Sequence, residues 1–455
     1  MFRKADNDYF NKYGLLSGGF KLFVGALLAF FMVACDDDDN PKPDPEPTST
    51  FKLHIGEENV VTMDFDAPGY YPAMYQAVLV MEDLPADEKI VYMGGVYSTV
   101  NPEPDLSDCT LIYDCSDNEV FQNWEWDKEP LYWNCMLLFH PVPGTTYYLR
   151  GYVQTDKGEY YSNTIEIRSG LTDPIADNHD AYEIPVVFHI FPDADGNYSV
   201  KDWMVREQLD YANHVYGNYY KIPGQTETGV RFVAATHAPD GTQLETPGIV
   251  HETEAVEIDF MNVELDDKYV WDMEHALNVW VCPIKNADEV ESEYSLLGGF
   301  TMLPFFDADE MLEGCTPLSE ECMGNGIFIN SIGLTWANSV VTFAHEAGHF
   351  LGLEHVFAPS DDYCADTPWY DYNAYTEATQ GYIDHKRTDK TGAEFWSDNI
   401  MDYEYGFMTG FTPDQIERMR YSLQNAYFIP GEAGKEKLVA RSFGQKLRFV
   451  GKKIR

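Results

Sequence analysis

The string His345-Glu346-Ala347-Gly348-His349-Phe350-Leu351-Gly352-Leu353-Glu354-His355 holds three imidazoles, a carboxylate and a glycine at spacings that suit a catalytic metal. On an α-helix, residues four apart lie on one face, so His345 and His349 can reach the same ion. Glu346 follows the first ligand by about 100° of helical rotation, which puts its carboxylate beside the metal's open position, where it can take a proton from bound water. Gly352 stands where the helix must stop and reverse, because glycine pays no Cβ penalty in the left-handed conformation that ends many helices. His355 then returns as third ligand. Three protein ligands and an open fourth position are the pattern of catalytic zinc; structural zinc is usually closed by four ligands, most often including cysteine.

Such a motif needs a buried helix to hold it. Val340, Val341, Ala344, Gly348 and Leu351 form an apolar stripe at helical spacing, with Asn338 or Ser339 available as N-cap. Upstream, strands are expected at 184–191, 229–235, 277–281 and 298–303, with a helix over 200–216, which together predict a mixed sheet backed by helices. Residues 355–411 carry many turn formers and little periodicity, and a helix over 413–426 closes the region, with Pro413 at a favoured first position after Thr412. His189, on the first strand, reads as a core or hydrogen-bonded histidine rather than a fourth ligand.

The long motif resembles the metzincin zinc peptidases, whose second hallmark is a methionine-containing turn; Ser397-Asp398-Asn399-Ile400-Met401-Asp402-Tyr403 is the matching candidate. Within the metzincins the chain is similar to the pappalysin, or ulilysin-like, family. The likeness rests on Leu351-Gly352-Leu353-Glu354-His355-Val356-Phe357, Asp366-Thr367-Pro368, Asn399-Ile400-Met401-Asp402-Tyr403 and 411–419, and extends upstream through 184–189, 229–232 and 277–281, covering about residues 180–430. It implies zinc on His345, His349 and His355, Glu346 as base and acid, Met401 as the hydrophobic floor and Tyr403 with its hydroxyl toward the metal or the oxyanion. A phenol near zinc can donate a hydrogen bond to developing negative charge.

The sequence also departs from that family. Its members usually pair a cysteine shortly after the M-D-Y segment with one in the loop before D-T-P; here Cys364 stands in that loop, but residues 404–408 hold no cysteine. The acidic residue associated with a basic side chain after the cleaved bond is replaced by Phe407 and Met408, so arginine specificity does not carry over. Some relatives bind calcium near the site. Asp361, Asp362 and Asp366 are oxygen ligands of the right kind, against which stands the simpler reading of an acidic surface loop.

At the start of the chain Lys4, Lys12 and Lys21 precede an uncharged run over 22–34, too short for the ~20 residues that span a bilayer and suited to a secretory signal. Met32-Val33-Ala34-Cys35 resembles a bacterial lipobox with Cys35 as the lipidated residue, and Asp36-Asp37-Asp38-Asp39 resembles the export tag of Bacteroidetes-type surface lipoproteins. Pro41, Pro43, Pro45 and Pro47 make an extended tether. A Pro-Gly turn, an alternating strand at 145–153 and a second strand at 160–167 form a hairpin resembling the end of a fibronectin type III-like sandwich.

The expected organisation is multidomain: signal peptide 1–34, lipidated acidic and Pro-rich tether 35–50, all-β fibronectin type III-like sandwich 51–170, linker 171–182, α+β metzincin domain 183–430, and basic tail 431–455. The α+β domain should contain a twisted mixed sheet, a backing helix, the active-site helix and an irregular lower part with the methionine turn. A net charge of −46 disfavours nucleic acid and anionic lipid as partners, leaving peptide or protein substrates and a membrane reached only through the lipid anchor. Of eight cysteines, Cys109 with Cys115 or Cys315 with Cys322 would close short loops, whereas Cys135 and Cys282 read as core. The leading reading is a surface-anchored zinc endopeptidase of the outer membrane working by Glu-assisted attack of zinc-bound water on extracellular proteins. The alternatives are a binding or adhesion lipoprotein on a weakly active scaffold, and a zinc hydrolase acting on a non-peptide amide.

Overall fold

The computed structural model describes residues 51–430 and Leu447–Arg448; within that range 64–73, 171–180, 286–296, 320–323, 336–339, 380–384, 404–406 and several shorter stretches are not described. The signal, the Cys35 lipobox, the acidic tag, the tether and most of the linker and tail therefore lie outside the described residues. No helix among the described residues is long and apolar enough to cross a membrane.

The N-terminal region is built of nine strands in two antiparallel sheets. Their bounds are β1 Lys52–His54, β2 Val60–Met63, β3 Met74–Glu82, β4 Ile90–Ser98, β5 Cys109–Asp114, β6 Leu131–Leu138, β7 Thr146–Thr155, β8 Glu159–Tyr161 and β9 Ile165–Arg168. One sheet centres on β3, which pairs with β1, β2 and β6; the other runs β5-β4-β7, with β8 and β9 both on β7. Glycines let the two sheets approach. A Cβ on Gly151 of β7 would meet Leu79 Cδ1 of β3 at 2.5 Å, and one on Gly95 of β4 would meet the Cys135 carbonyl of β6 at 2.7 Å. The strand expected over 160–167 is broken into β8 and β9, each pairing with a different half of β7. Cys109 and Cys115 are both buried and are not bonded to each other. Cys109 opens β5 and Cys115 directly follows its last residue, and strand extension at about 3.3 Å per residue holds them roughly 20 Å apart, so the short-loop disulfide does not form. Cys315 and Cys364 are free and buried, and Cys322 lies outside the described residues.

The second region has a sheet of β10 Tyr182–Ile190, β11 Val230–Ala234, β12 Ile249–His251, β13 Leu277–Cys282, β14 Gly299–Thr301 and β15 Ile327–Asn330. The order is β11-β10-β13-β15-β14, with β12 beside the far end of β10; every pairing is parallel except β14 on β15. Continuous burial along β13 and β15 is what a parallel sheet covered on both faces requires. Helix α1, Asp202–Tyr216, backs the sheet; α2 is Ser331–Thr335, α3 Thr342–Phe350, α4 Tyr372–Thr379 and α5 Pro413–Asn425. Thr412 and Gln415 form a capping box at the start of α5, with Pro413 in the first turn. His189 is fully buried, between Glu252 at 2.8 Å and Asn278 at 3.1 Å, as a hydrogen-bonded core histidine.

The two regions share one apolar cluster through α1. Trp203 packs edge-on against Tyr97, with ring centroids 5.6 Å apart, and buried Glu207 accepts a hydrogen bond from the Tyr147 hydroxyl.

Candidate active site

Helix α3 carries His345, Glu346 and His349, and begins at Thr342 with no side-chain cap from Val341. Asn338 and Ser339 lie outside the described residues. Gln208 of α1 does part of the cap's work instead, its Oε1 accepting the Phe343 N–H at 2.9 Å. The helix ends as the glycine predicted: Gly352 has φ +99°, its N–H donates to His349 O at 2.9 Å, and Leu353 N–H donates to Gly348 O at 3.0 Å. That pair of bonds is a Schellman ending. It reverses the chain and returns His355 to the helix.

The three imidazoles converge. His355 Nε2 lies 3.1 Å from both His345 Nε2 and His349 Nε2. The Nδ1 atoms of His345 and His349 face the carbonyls of Ile400 and Leu353, each at 2.7 Å, so each Nδ1 carries its proton and each Nε2 presents a lone pair. Lone pairs packed this closely repel one another unless a cation lies between them. Burial pushes the titrations down, to about 4 for His345, about 3 for His349 and well below the usual value for His355, so all three are neutral near pH 7. The separations approach the edge of about 3.3 Å expected of a tetrahedron with zinc–nitrogen bonds of about 2.0 Å. The donor set therefore fits zinc. Among the described residues, no other group of three His, Cys, Asp or Glu side chains converges this way.

Glu346 is buried, and burial pushes its carboxyl up to about 8. A cation beside it would favour the carboxylate, so this group is poised to hold and release a proton near neutrality. Edge strand β14 presses on it, because a Cβ on Gly299 would lie 3.2 Å from Glu346 Cγ.

Met401 is fully buried directly beneath the helix, where a Cβ on Gly348 would meet its Sδ at 2.3 Å. The adjoining Ile400 carbonyl orients His345, and Val356 N–H donates to Met401 O at 3.2 Å, which ties the third-ligand loop to the same turn. The Tyr403 ring packs 4.9 Å from His355 and 6.1 Å from His345 between centroids. Phe357 and Tyr372 extend this aromatic wall, both within 5.1 Å of the Tyr403 centroid.

Of the three acidic residues considered for calcium, Asp361 and Asp362 accept from local turns and Asp366 from the first turn of α5. Asp361 accepts from Tyr363 N–H at 2.8 Å, Asp362 from Cys364 N–H at 3.2 Å and from the Thr367 hydroxyl, and Asp366 from Asp414 N–H at 3.0 Å. Phe407 and Met408 are buried, with His385 stacked on Phe407.

Several residues hold the site through contacts that the sequence does not assign to them. Gln415 of α5 exchanges amide hydrogen bonds with Asn399, at 2.7 and 3.1 Å, and Arg418 one turn on donates to Gly352 O at 2.5 Å. The closing helix thus grips both the methionine turn and the end of α3. Arg387 pairs with Asp402 inside the protein. Each is an ordinary polar residue in an amphipathic or turn-rich stretch, and only the long-range contact gives it a role.

The sheet, the helix-borne histidine trio and the turn at Met401 form the arrangement that the metzincin resemblance implies. Residues 263–424 match the family described as pregnancy-associated plasma protein-A. Two curated relatives, each named extracellular metalloprotease, from Arthroderma benhamiae and Trichophyton verrucosum, are 34% identical over 113 residues, which is 24% of this chain and 40% of theirs. The chain thus spans less than half the length of the curated relatives it matches. Mature mirolysin of Tannerella forsythia, solved with a cleaved peptide, is 22% identical, covering 53% of this chain and 92% of its own, with a TM-score of 0.35.

Proposed function

We propose that this protein is a zinc endopeptidase. The observation that carries the reading is the convergence of three neutral Nε2 atoms beside a buried glutamate, and the family match to residues 263–424 supports it. Zinc, when held by His345, His349 and His355, supplies the Lewis acidity that makes water nucleophilic at neutral pH and polarises a carbonyl. The chain's own groups do the rest. Glu346 accepts a proton as water attacks the scissile carbonyl and returns it to the leaving amine. Tyr403 offers its hydroxyl to the negative charge that develops on the carbonyl oxygen, where a preorganised donor is worth most. Met401 fills the floor under α3 and keeps His345 oriented through the Ile400 carbonyl. Strand β14 ends the sheet among the described residues, runs antiparallel to its neighbour and lies against Glu346, so an extended peptide can add to it as a further strand with its carbonyl near the histidines.

In this reading residues 1–34 are a signal peptide, Cys35 is lipidated, and the lipid with the tether to residue 50 hold the enzyme at the outer-membrane surface. The two-sheet region over 51–170 acts as a fibronectin type III-like module carried with the peptidase domain over 183–430. Its acidic character fits protein substrates outside the cell.

The test is digestion of a mixed-peptide library by the zinc-loaded chain, beside Glu346→Ala and a chelated control. Cleavage by the native chain alone is expected. Equal cleavage by Glu346→Ala would sink the mechanism, and no cleavage by any form would favour a binding lipoprotein instead.

A further inference from the structure

Behind the methionine turn lies a buried charge pair that the peptidase reading does not use. Asp402, between Met401 and Tyr403, is 1% exposed. Its Oδ2 forms an ion pair with Arg387, 3.2 Å from Nε, and accepts from the Ser397 hydroxyl; its Oδ1 accepts from the Tyr370 hydroxyl and from the Tyr403 backbone N–H at 2.8 Å. Three hydrogen-bond donors and a guanidinium thus surround the carboxylate.

Arg387 reaches this carboxylate from a hairpin of β16, Lys386–Thr388, and β17, Glu394–Trp396. It is 2% exposed, with its guanidinium carbon 3.9 Å from the Tyr375 ring centroid and 5.3 Å from that of Tyr370, and its Nη1 donates to Lys386 O at 3.3 Å. A buried ion pair is generally no better for stability than apolar groups of the same volume, so stability alone does not account for it. A planar guanidinium with fixed donors and two flat faces does fix direction.

The geometry points to Arg387 as a positioning residue for catalysis: wedged among Tyr370 and Tyr375, it holds Asp402, whose Oδ1 fixes the Tyr403 backbone and thereby the phenol beside His355. This rests on the reading that Tyr403 serves the reaction. Arg387 touches neither the histidines nor substrate. It acts through Asp402 on the one side chain that has to meet the oxyanion.

The test is a cycle on the full zinc-loaded chain with Arg387→Met, Arg387→Lys, Tyr403→Phe and the combination of Arg387→Met with Tyr403→Phe. Arg387→Met should lower kcat by roughly 10- to 100-fold, the range for partners that orient metal-site groups, with KM and zinc content unchanged. The double variant should be no slower than Tyr403→Phe, because both changes act through one phenol. Arg387→Lys should recover only part of the loss, as an ammonium has neither the fork nor the flat face. A crystal structure of metal-free Arg387→Met should show the Tyr403 ring moved by more than roughly 0.5 Å relative to the three histidines. Losses that multiply in the double variant, or an unmoved ring, would overturn the proposal. Should the native chain cleave no peptide, the peptidase reading fails while the ring position still decides the role of Arg387. Should Arg387→Met fail to fold, Arg387→Lys carries the same cycle and the same structural comparison.

Discussion

Alanine at Gly299 measures how closely the edge strand is pressed on the active-site helix. The added Cβ would lie 2.7 Å from Phe328 O, 3.0 Å from Thr342 Cγ2 and 3.2 Å from Glu346 Cγ. Carbon–oxygen contacts across sheets run about 3.3–3.6 Å, so at least about half an ångström of movement is needed. The oxygen belongs to the backbone of β15 and cannot swing away as a side chain would. Overpacking of this kind costs about 1–3 kcal/mol. Against it, replacing glycine narrows the unfolded ensemble and returns about 0.4–1 kcal/mol. The steric effect wins, leaving a net loss of about 1–2 kcal/mol and a melting temperature lower by roughly 2–8 °C. Gly298 is the internal control. Its Cβ would meet nothing nearer than Thr342 Oγ1 at 3.5 Å, an ordinary contact, so Gly298→Ala should be neutral or slightly stabilising. Thermal melts of both variants, zinc-saturated, read the difference, and peptide hydrolysis should fall in Gly299→Ala because Glu346 is one of the displaced groups. Melting at or above the native temperature with native turnover would refute the close packing of β14 on α3.

Burial pushes the Glu207 carboxyl up to about 7 from an ordinary value near 4.5. The folded chain therefore keeps a proton that the unfolded chain releases between those values, and stability from this group falls as pH rises from about 4.5 through 7, by at most about 3 kcal/mol. Glu207→Gln should flatten that part of the curve, and denaturant melts from pH 4.5 to 8 that stay parallel to the native series would exclude it. Gln208→Ala strips the Phe343 N–H of its acceptor and should cost about 1–3 kcal/mol in urea unfolding; a loss below about 0.5 kcal/mol would mean that water replaces the amide. Saturating zinc should raise the melting temperature over the chelated chain, by an amount equivalent to about 4 kcal/mol at a thousandfold excess over Kd. His355→Ala should abolish that increment and the bound zinc, and undiminished metal content would remove His355 from the ligand set.

Helix positions in the second region were largely readable because their periodicity is local. The expected helix over 200–216 is found at Asp202–Tyr216 and the closing helix at Pro413–Asn425, each within two residues, with Pro413 and Thr412 as the sequence indicated. Burial of β13 on both faces includes Asn278, whose amide is taken up by Trp271 and His189. The sequence indicates one strand over 160–167; the polar Ser162-Asn163-Thr164 interrupts it, and its two parts pair with different halves of β7. The short-loop disulfide between Cys109 and Cys115 looked possible from separation along the chain, a measure that ignores strand extension.

The histidine motif was complete in the sequence because a helix, a glycine turn and 3.6 residues per turn are local facts. Eleven consecutive residues sufficed to place two ligands, a base and the returning third histidine near one point. What no local pattern holds is what locks them there. The Ile400 carbonyl that selects the His345 tautomer, Gln208 at the start of α3, Gln415 and Arg418 on the closing helix and Arg387 behind the turn come from stretches far apart in the chain. The sequence determined the metal chemistry, since residue type and local spacing decide which atoms can bind an ion. The tertiary structure decided the protonation, orientation and burial of those atoms, since these depend on hydrogen-bond partners and desolvation that exist only once distant segments meet.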